Sequence, residues 1–233
     1  MPLKAILFDK DGTLVDFDQS WGEAGFHVIS ALAKDDPEAF NRLSAAAKYD
    51  VRTRRFLPGA DLIAGTSSDF GPDWAKALGR NDADTVAKEI DRLFMELAPT
   101  MMVTIGNPLD VMKALTERGY HLGIATNDIE AAALQQAELM GLLPHLDFIV
   151  GQDSGHGAKP GPGMVTGFAR HVGVEPASVA LVGDSTHDLH AARAAGAIGI
   201  AVLSGPATHE ELAPHADHVI DSIADLPKLL ARI

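Results

Sequence analysis

The chain has 233 residues, 46% of them hydrophobic and 22% charged, which is enough apolar material for a substantial core and rules out a disordered polyelectrolyte. Its 32 Asp and Glu outnumber 19 Lys and Arg, and the resulting formal charge of −13 repels phosphate backbones and anionic lipid surfaces, arguing against nucleic-acid and membrane partners. The absence of cysteine excludes a disulfide framework, thiolate-bound zinc and thiol catalysis; Met1-Pro2-Leu3-Lys4 has no secretory pattern and no apolar run reaches membrane length, so a soluble cytoplasmic protein is expected.

In chain order, the first predicted element is a continuously apolar run, Ala5–Phe8, of the kind buried on both faces of a parallel sheet. No comparable strand follows until after residue 105. The interval instead holds amphipathic stretches at Trp21–Ala33, Pro37–Lys48 and Ala83–Ala98, broken by Pro58-Gly59 and by Ser67–Pro72, and reads as a helical insert. Asn107-Pro108 then opens a helix as cap and first helical residue, and Gly161-Pro162 is read in the same way. Further strand runs lie at Leu122–Ala125, Phe148–Val150, Val179–Val182 and Ile198–Leu203, and Thr208 with Glu211 forms a capping box. Alternating strands and helices predict an α/β fold, a parallel sheet with helices on both faces. The expected division is a core of residues 1–16 and 105–233 with an inserted helical domain, 17–104.

Ligands of open parallel sheets bind beyond the carboxyl ends of the strands, so the strand exits carry the chemistry. The first reads Asp9-Lys10-Asp11-Gly12-Thr13, two acids brought together by a turn at Gly12. A calcium loop would need Gly at its sixth position, where Leu14 stands. The second exit has Thr126 and Asn127 before a helix, either an anion seat or a simple N-cap. Lys159-Pro160 follows in a Gly-rich connection with no dinucleotide or Walker pattern, either a working lysine or a solvated charge. The fourth exit, Gly183-Asp184 with Asp188 one helical turn on, adds two acids, a crowding that calls for a hard cation such as Mg²⁺. His187 and His190 at i, i+3 could pair on zinc, but oxygen ligands dominate nearby and surface positions are preferred.

Four successive exits bearing DxDGT, TN, KP and GDxxxD resemble the haloacid dehalogenase-like (HAD) hydrolase superfamily, over roughly Leu3–Asp16 and Ile105–Ile233. The resemblance implies a Rossmann-like core with a C1-type helical cap, in general pattern phosphoglycolate phosphatase-like. It implies an Mg²⁺-dependent phosphatase acting on a small phosphorylated metabolite through an aspartyl-phosphate. Asp9 matches the nucleophile, Asp11 the general acid and base, Thr126 and Asn127 the phosphate-binding motif, and Lys159 the lysine that neutralises nucleophile and phosphate. Asp9, Asp184, Asp188 and the Asp11 carbonyl match the metal site, Asp188 acting through water or by orienting Lys159. Where many relatives have a Pro-Gly turn, this chain reads Ile105-Gly106-Asn107-Pro108. The alternatives are a phosphomutase of the same superfamily and a non-catalytic phosphate-binding regulator.

Within the insert, Lys48, Arg52, Arg54 and Arg55 fall inside eight positions. If that stretch is helical, Lys48, Arg52 and Arg55 share a face. Arg52 and Arg55 are the candidates for binding an acidic substrate group, against the alternative of a solvated face.

Overall fold

The computed structural model describes residues 2–232. The chain folds as two compact units, Met1–Asp16 with Thr104–Ile233, and Phe17–Val103. In chain order the strands are β1 (Ala5–Phe8), β2 (Tyr49–Asp50), β3 (Arg55–Phe56), β4 (His121–Ala125), β5 (Phe148–Val150), β6 (Val179–Gly183), β7 (Ile198–Val202) and β8 (His218–Ile220). The helices are α1 (Phe17–Ala33), α2 (Pro37–Ala46), α3 (Ser67–Ala77), α4 (Ala83–Met101), α5 (Pro108–Glu117), α6 (Glu130–Leu139), α7 (Gly163–Val172), α8 (Thr186–Ala195), α9 (His209–Leu212) and α10 (Leu226–Leu229). Among the described residues no helix is long and apolar enough to cross a membrane.

The larger unit is a six-stranded sheet in the order β5-β4-β1-β6-β7-β8, every neighbouring pair parallel. Strand β1 lies in the middle, Leu7 opposite both Gly123 and Leu181. Its four residues are apolar without alternation because both faces are covered and all four are fully buried. Ala5 and Leu7 join a cluster with Phe168 of α7 and Ala191 of α8; Ile6 and Phe8 point, by strand alternation, to the opposite face. The chain runs β1, β4, β5 to one side, then returns to place β6, β7 and β8 on the other. The strand order therefore reverses at β1, and a crevice beyond its carboxyl end follows from topology.

The helix starts carry their caps. Asn107 Oδ1 accepts the Asp110 N–H at 3.4 Å, with Pro108 as the first helical residue. Thr208 and Glu211 form the box that opens α9. Helix α7 begins at Gly163 with Pro162 in the cap position, one residue later than expected for Gly161-Pro162. The edge strand β8 escaped the sequence reading because its three residues are half-buried and form no apolar run.

The smaller unit corrects two expectations. Ser67–Pro72 is not a break but the start of α3. The Thr66 N–H and hydroxyl both donate to Asp69 Oδ2, each at 2.8 Å, in a capping box. Phe70, Trp74 and Ala75 bury one face of the helix, and Gly71 lets Ala87 of α4 approach, so packing outweighs the poor propensities of Gly71 and Pro72.

The stretch from Lys48 to Arg55 is not helical either: Tyr49 and Asp50 pair antiparallel with Phe56 and Arg55. Asp50 Oδ1 accepts the N–H groups of Arg52 at 2.9 Å and Thr53 at 3.3 Å, an Asx turn that competes with a helix. Lys48 and Arg54 flank it at φ 51° and 55°. The rings of Tyr49 and Phe56, 5.0 Å apart, close over Gly25 of α1. Lys48, Arg52 and Arg55 thus share no helical face. The Lys48 ammonium donates to the Gly59 carbonyl, Arg54 stacks over Phe26 and pairs with Glu23, and Arg55 lies 3.5 Å from Asp18. Arg52 sits exposed in the turn.

Candidate active site

Asp9 follows β1 directly, and its N–H donates to the Val182 carbonyl of β6 at 2.8 Å, which holds it at the point where the strand order reverses. Beyond it Gly12, at φ 75°, donates its N–H to the Val15 carbonyl at 2.7 Å and turns the chain back. Thr126 and Asn127 leave β4, Lys159 lies in the connection from β5 to α7, and Asp184 leaves β6. Asp188 stands in the first turn of α8, whose box with Ser185 fixes it: its Oδ2 accepts the Ser185 N–H at 3.1 Å and hydroxyl at 2.6 Å.

These exits meet. Lys159 Nζ donates to Asp9 Oδ1 at 2.5 Å, to Asp188 Oδ1 at 2.6 Å and to the Ala125 carbonyl at 2.9 Å. Carboxylate oxygens of Asp9, Asp184 and Asp188 lie within 4.8 Å of one another, all three residues buried. Glycine makes the close approach possible, since a methyl at Gly12 or Gly205 would overlap the Asp184 carboxylate, and one at Gly183 that of Asp188. The Ser204 hydroxyl donates to the Gly12 carbonyl at 2.8 Å, so the loop after β7 closes on the first exit.

Thr126 and Asn127 are buried, and neither is the cap of α6, a position that Ile129 occupies. Thr126 Oγ1 accepts the Asp128 N–H at 3.1 Å. The Asn127 side chain spans the backbone of Lys159, taking its N–H at 2.8 Å and donating to its carbonyl at 2.9 Å. Lys159 is accordingly no solvated loop charge. Of the two helix α8 histidines, His190 instead faces His215 at 3.3 Å on the surface.

Burial raises Asp9 to about 7; Lys159 opposes the shift, while Asp188 and Asp11 add to it by repulsion. Burial, then Asp9 and Asp188, lifts Asp184 well above the usual carboxylate range. For Lys159 burial works against the charge, but Asp188 and Asp9 outweigh it and hold the ammonium above the ordinary lysine range. Three buried acids facing one ammonium leave an unbalanced negative charge. The donors are all oxygen, which suits a hard divalent cation of the Mg²⁺ kind, and the residues fit that group.

Asp11 sits at the edge of the cluster, its carboxylate 20% exposed, with the Lys10 ammonium 2.5 Å from Oδ2. Lys10 is the residue that sequence reasoning passed over. It is wholly buried, and its Nζ also lies 2.9 Å from Gln136 Oε1 and 3.2 Å from Asp128 Oδ2. Burial disfavours its charge, yet Asp11 and Asp128 prevail and raise its pKa. A lysine between two aspartates at a strand exit was the available signal, and Ser185 three residues before Asp188 had that of a capping box; Gln136, Ser204 and Gly205 had none in the sequence.

Fold and site together define a class: a parallel α/β enzyme that stations buried carboxylates and a lysine where its strand order reverses. The chain belongs to the haloacid dehalogenase-like hydrolases, whose family model matches residues 3–196. A phosphoglycolate phosphatase from Rhodospirillum rubrum is 32% identical over 230 residues, covering 96% of this chain and 89% of the relative. A pyrophosphatase, PpaX, from Bacillus pumilus is 34% identical over 228 residues, covering 96% and 94%. Among solved structures, a chain from Thermotoga maritima assigned as a β-phosphoglucomutase superposes with a TM-score of 0.71 at 19% identity, covering 99% of this chain and all of that one, which supports the fold.

Proposed function

We propose that this hydrolase is an Mg²⁺-dependent phosphatase that cleaves a small phosphomonoester through an aspartyl-phosphate on Asp9. The observation that carries the reading is Lys159 Nζ held between Asp9 and Asp188 at 2.5 and 2.6 Å, beside Asp184. An Asp9 carboxylate oxygen attacks phosphorus, and the P–O bond to the substrate alcohol breaks as Asp11 gives the leaving oxygen its proton. Asp11, now ionised, takes a proton from water, which attacks the acyl-phosphate and releases inorganic phosphate with Asp9 restored. Lys159 and the Thr126 hydroxyl stabilise the phosphoryl oxygens, and Asn127 keeps the lysine in place through its backbone. Asp188, with both oxygens already accepting from Lys159 and Ser185, orients the lysine and adds charge to the metal site. Asp9, the Asp11 carbonyl and Asp184 would hold Mg²⁺, which would supply the positive potential that lets an anionic nucleophile meet an anionic phosphate.

The unit Phe17–Val103 is proposed to serve as the cap that selects the substrate, with Arg52 and Arg55 as its contacts for an acidic group. The 32% identity to a phosphoglycolate phosphatase favours a small acidic phosphomonoester, and the 34% identity to a pyrophosphatase makes pyrophosphate the competing substrate. A cysteine-free chain suits the cytoplasm. The test is phosphate release with Mg²⁺ from 2-phosphoglycolate, pyrophosphate and a panel of sugar phosphates. Release from 2-phosphoglycolate or a sugar phosphate supports the reading, and release from pyrophosphate alone would make the chain a pyrophosphatase. Isomerisation of a sugar phosphate without release would make the chain a phosphomutase, and no turnover of any kind would leave the regulatory alternative.

A further inference from the structure

We propose that Lys10 is a positioning residue for Asp11, fixing the proton-transfer carboxylate by tying it to the second strand exit; the inference rests on the phosphatase reading. An ammonium has three N–H donors, and three side-chain acceptors surround this one: Asp11 Oδ2 at 2.5 Å, Gln136 Oε1 at 2.9 Å and Asp128 Oδ2 at 3.2 Å. The Lys10 side chain is 1% exposed, so it does not snorkel to water as surface lysines do. Asp11 and Asp128 are 20% and 30% exposed, so the buried cation is held beneath two partly exposed acids. Its backbone is fixed as well, the Lys10 carbonyl accepting the N–H groups of Leu14 at 2.8 Å and Val15 at 3.0 Å.

The anchors come from different parts of the sequence. Asp128 follows Asn127, and Gln136 lies on α6, 126 positions from Lys10. A carboxylate fastened on one oxygen to a buried, triply held ammonium keeps its direction, and proton transfer demands that it point at the leaving oxygen within a few tenths of an ångström. Without the cation, Asp11 and Asp128 repel across the gap and Asp11 turns away. Lys10 touches no reacting atom; it acts through Asp11.

A residue that serves Asp11 matters most where Asp11 matters most. An alkyl phosphate must have its leaving alkoxide protonated, whereas p-nitrophenolate leaves without help. The experiment compares wild type, Lys10→Met, Asp11→Asn and the double variant by kcat/KM with Mg²⁺ on 2-phosphoglycolate, or the alkyl ester the enzyme prefers, and on p-nitrophenyl phosphate. Lys10→Met is expected to lose roughly 10- to 100-fold on the alkyl ester with KM nearly unchanged, and less than about 3-fold on the aryl ester. Asp11→Asn should show the same split, and the double variant should be little worse than Asp11→Asn alone. Because Lys10→Met leaves Asp11 and Asp128 facing each other without their shared cation, Lys10→Met/Asp128→Asn is run beside it and should give the same split in a chain of restored charge balance. Equal losses on both esters, or losses that multiply in the double variant, overturn the role of Lys10. A wild type that hydrolyses neither ester overturns the phosphatase reading itself.

Discussion

Asn127 and Lys159 are 32 positions apart and exchange two hydrogen bonds, the amide donating to the Lys159 carbonyl at 2.9 Å and accepting its N–H at 2.8 Å. The asparagine grips the peptide, leaving the ammonium to Asp9 and Asp188. Asn127→Ala removes both bonds in a buried place and is expected to cost about 2–4 kcal/mol. Urea unfolding checks the stability. The kcat should fall at least 10-fold with the lysine chemically intact, and a variant with normal kcat would disprove the clamp.

Asp9→Asn keeps the shape of the side chain and removes its nucleophilicity, so phosphatase activity should vanish while the circular dichroism spectrum is unchanged. Beryllofluoride, a phosphoryl mimic, should bind wild type and not the variant, as isothermal titration would show. Turnover by the pure variant would end the covalent mechanism.

The acid cluster sets a pH dependence whose sign is fixed. Asp9 and Asp184 are raised in the folded protein, so from the ordinary carboxylate range up to about 7 the folded chain binds more protons than the unfolded one. Where the unfolded state binds fewer protons, unfolding free energy falls as pH rises. In EDTA this cluster should therefore favour the fold at pH 5 over pH 8, and Asp184→Asn should flatten the dependence, measured as urea midpoints. Mg²⁺ at pH 8 should restore stability by binding the folded state.

Turnover should stop in excess EDTA and return with Mg²⁺. Ca²⁺, with its larger and looser coordination, should support it poorly because the nucleophile is misplaced. Initial rates on any accepted phosphomonoester decide the matter, and full activity in EDTA would reject the metal.

Arg52→Ala should raise KM for 2-phosphoglycolate several-fold with little change in kcat and leave p-nitrophenyl phosphate untouched. Arg55→Ala should do so less, since its guanidinium already lies 3.5 Å from Asp18. Equal effects on both substrates would return both arginines to the solvated surface.

The core was legible because its strands announce themselves: Ala5–Phe8 and Phe148–Val150 are continuous apolar runs, and the acids that follow strand ends have few structural uses. The hairpin from Tyr49 to Phe56 was not, since two residues per strand leave no period to read and an Asx turn replaces the expected helix. Helix α3 was hidden by Gly71 and Pro72, whose poor propensity is outweighed by Phe70 and Trp74 packing in three dimensions. Lys10 shows the same limit at the site: its partners Asp128 and Gln136 become neighbours only when β1 and β4 pair.

The central place of β1 also governs when catalysis can begin during synthesis. Asp9 emerges early, but the lysine that neutralises it lies 150 positions later and the acid that braces that lysine follows after 29 more. A nascent chain that has not yet released Lys159 carries Asp9 without its counter-charge, and one that has not released Asp188 lacks the brace on that lysine. On the proposed mechanism, a chain still on the ribosome is expected to show no turnover, and activity should appear only once strands on both sides of β1 have paired with it.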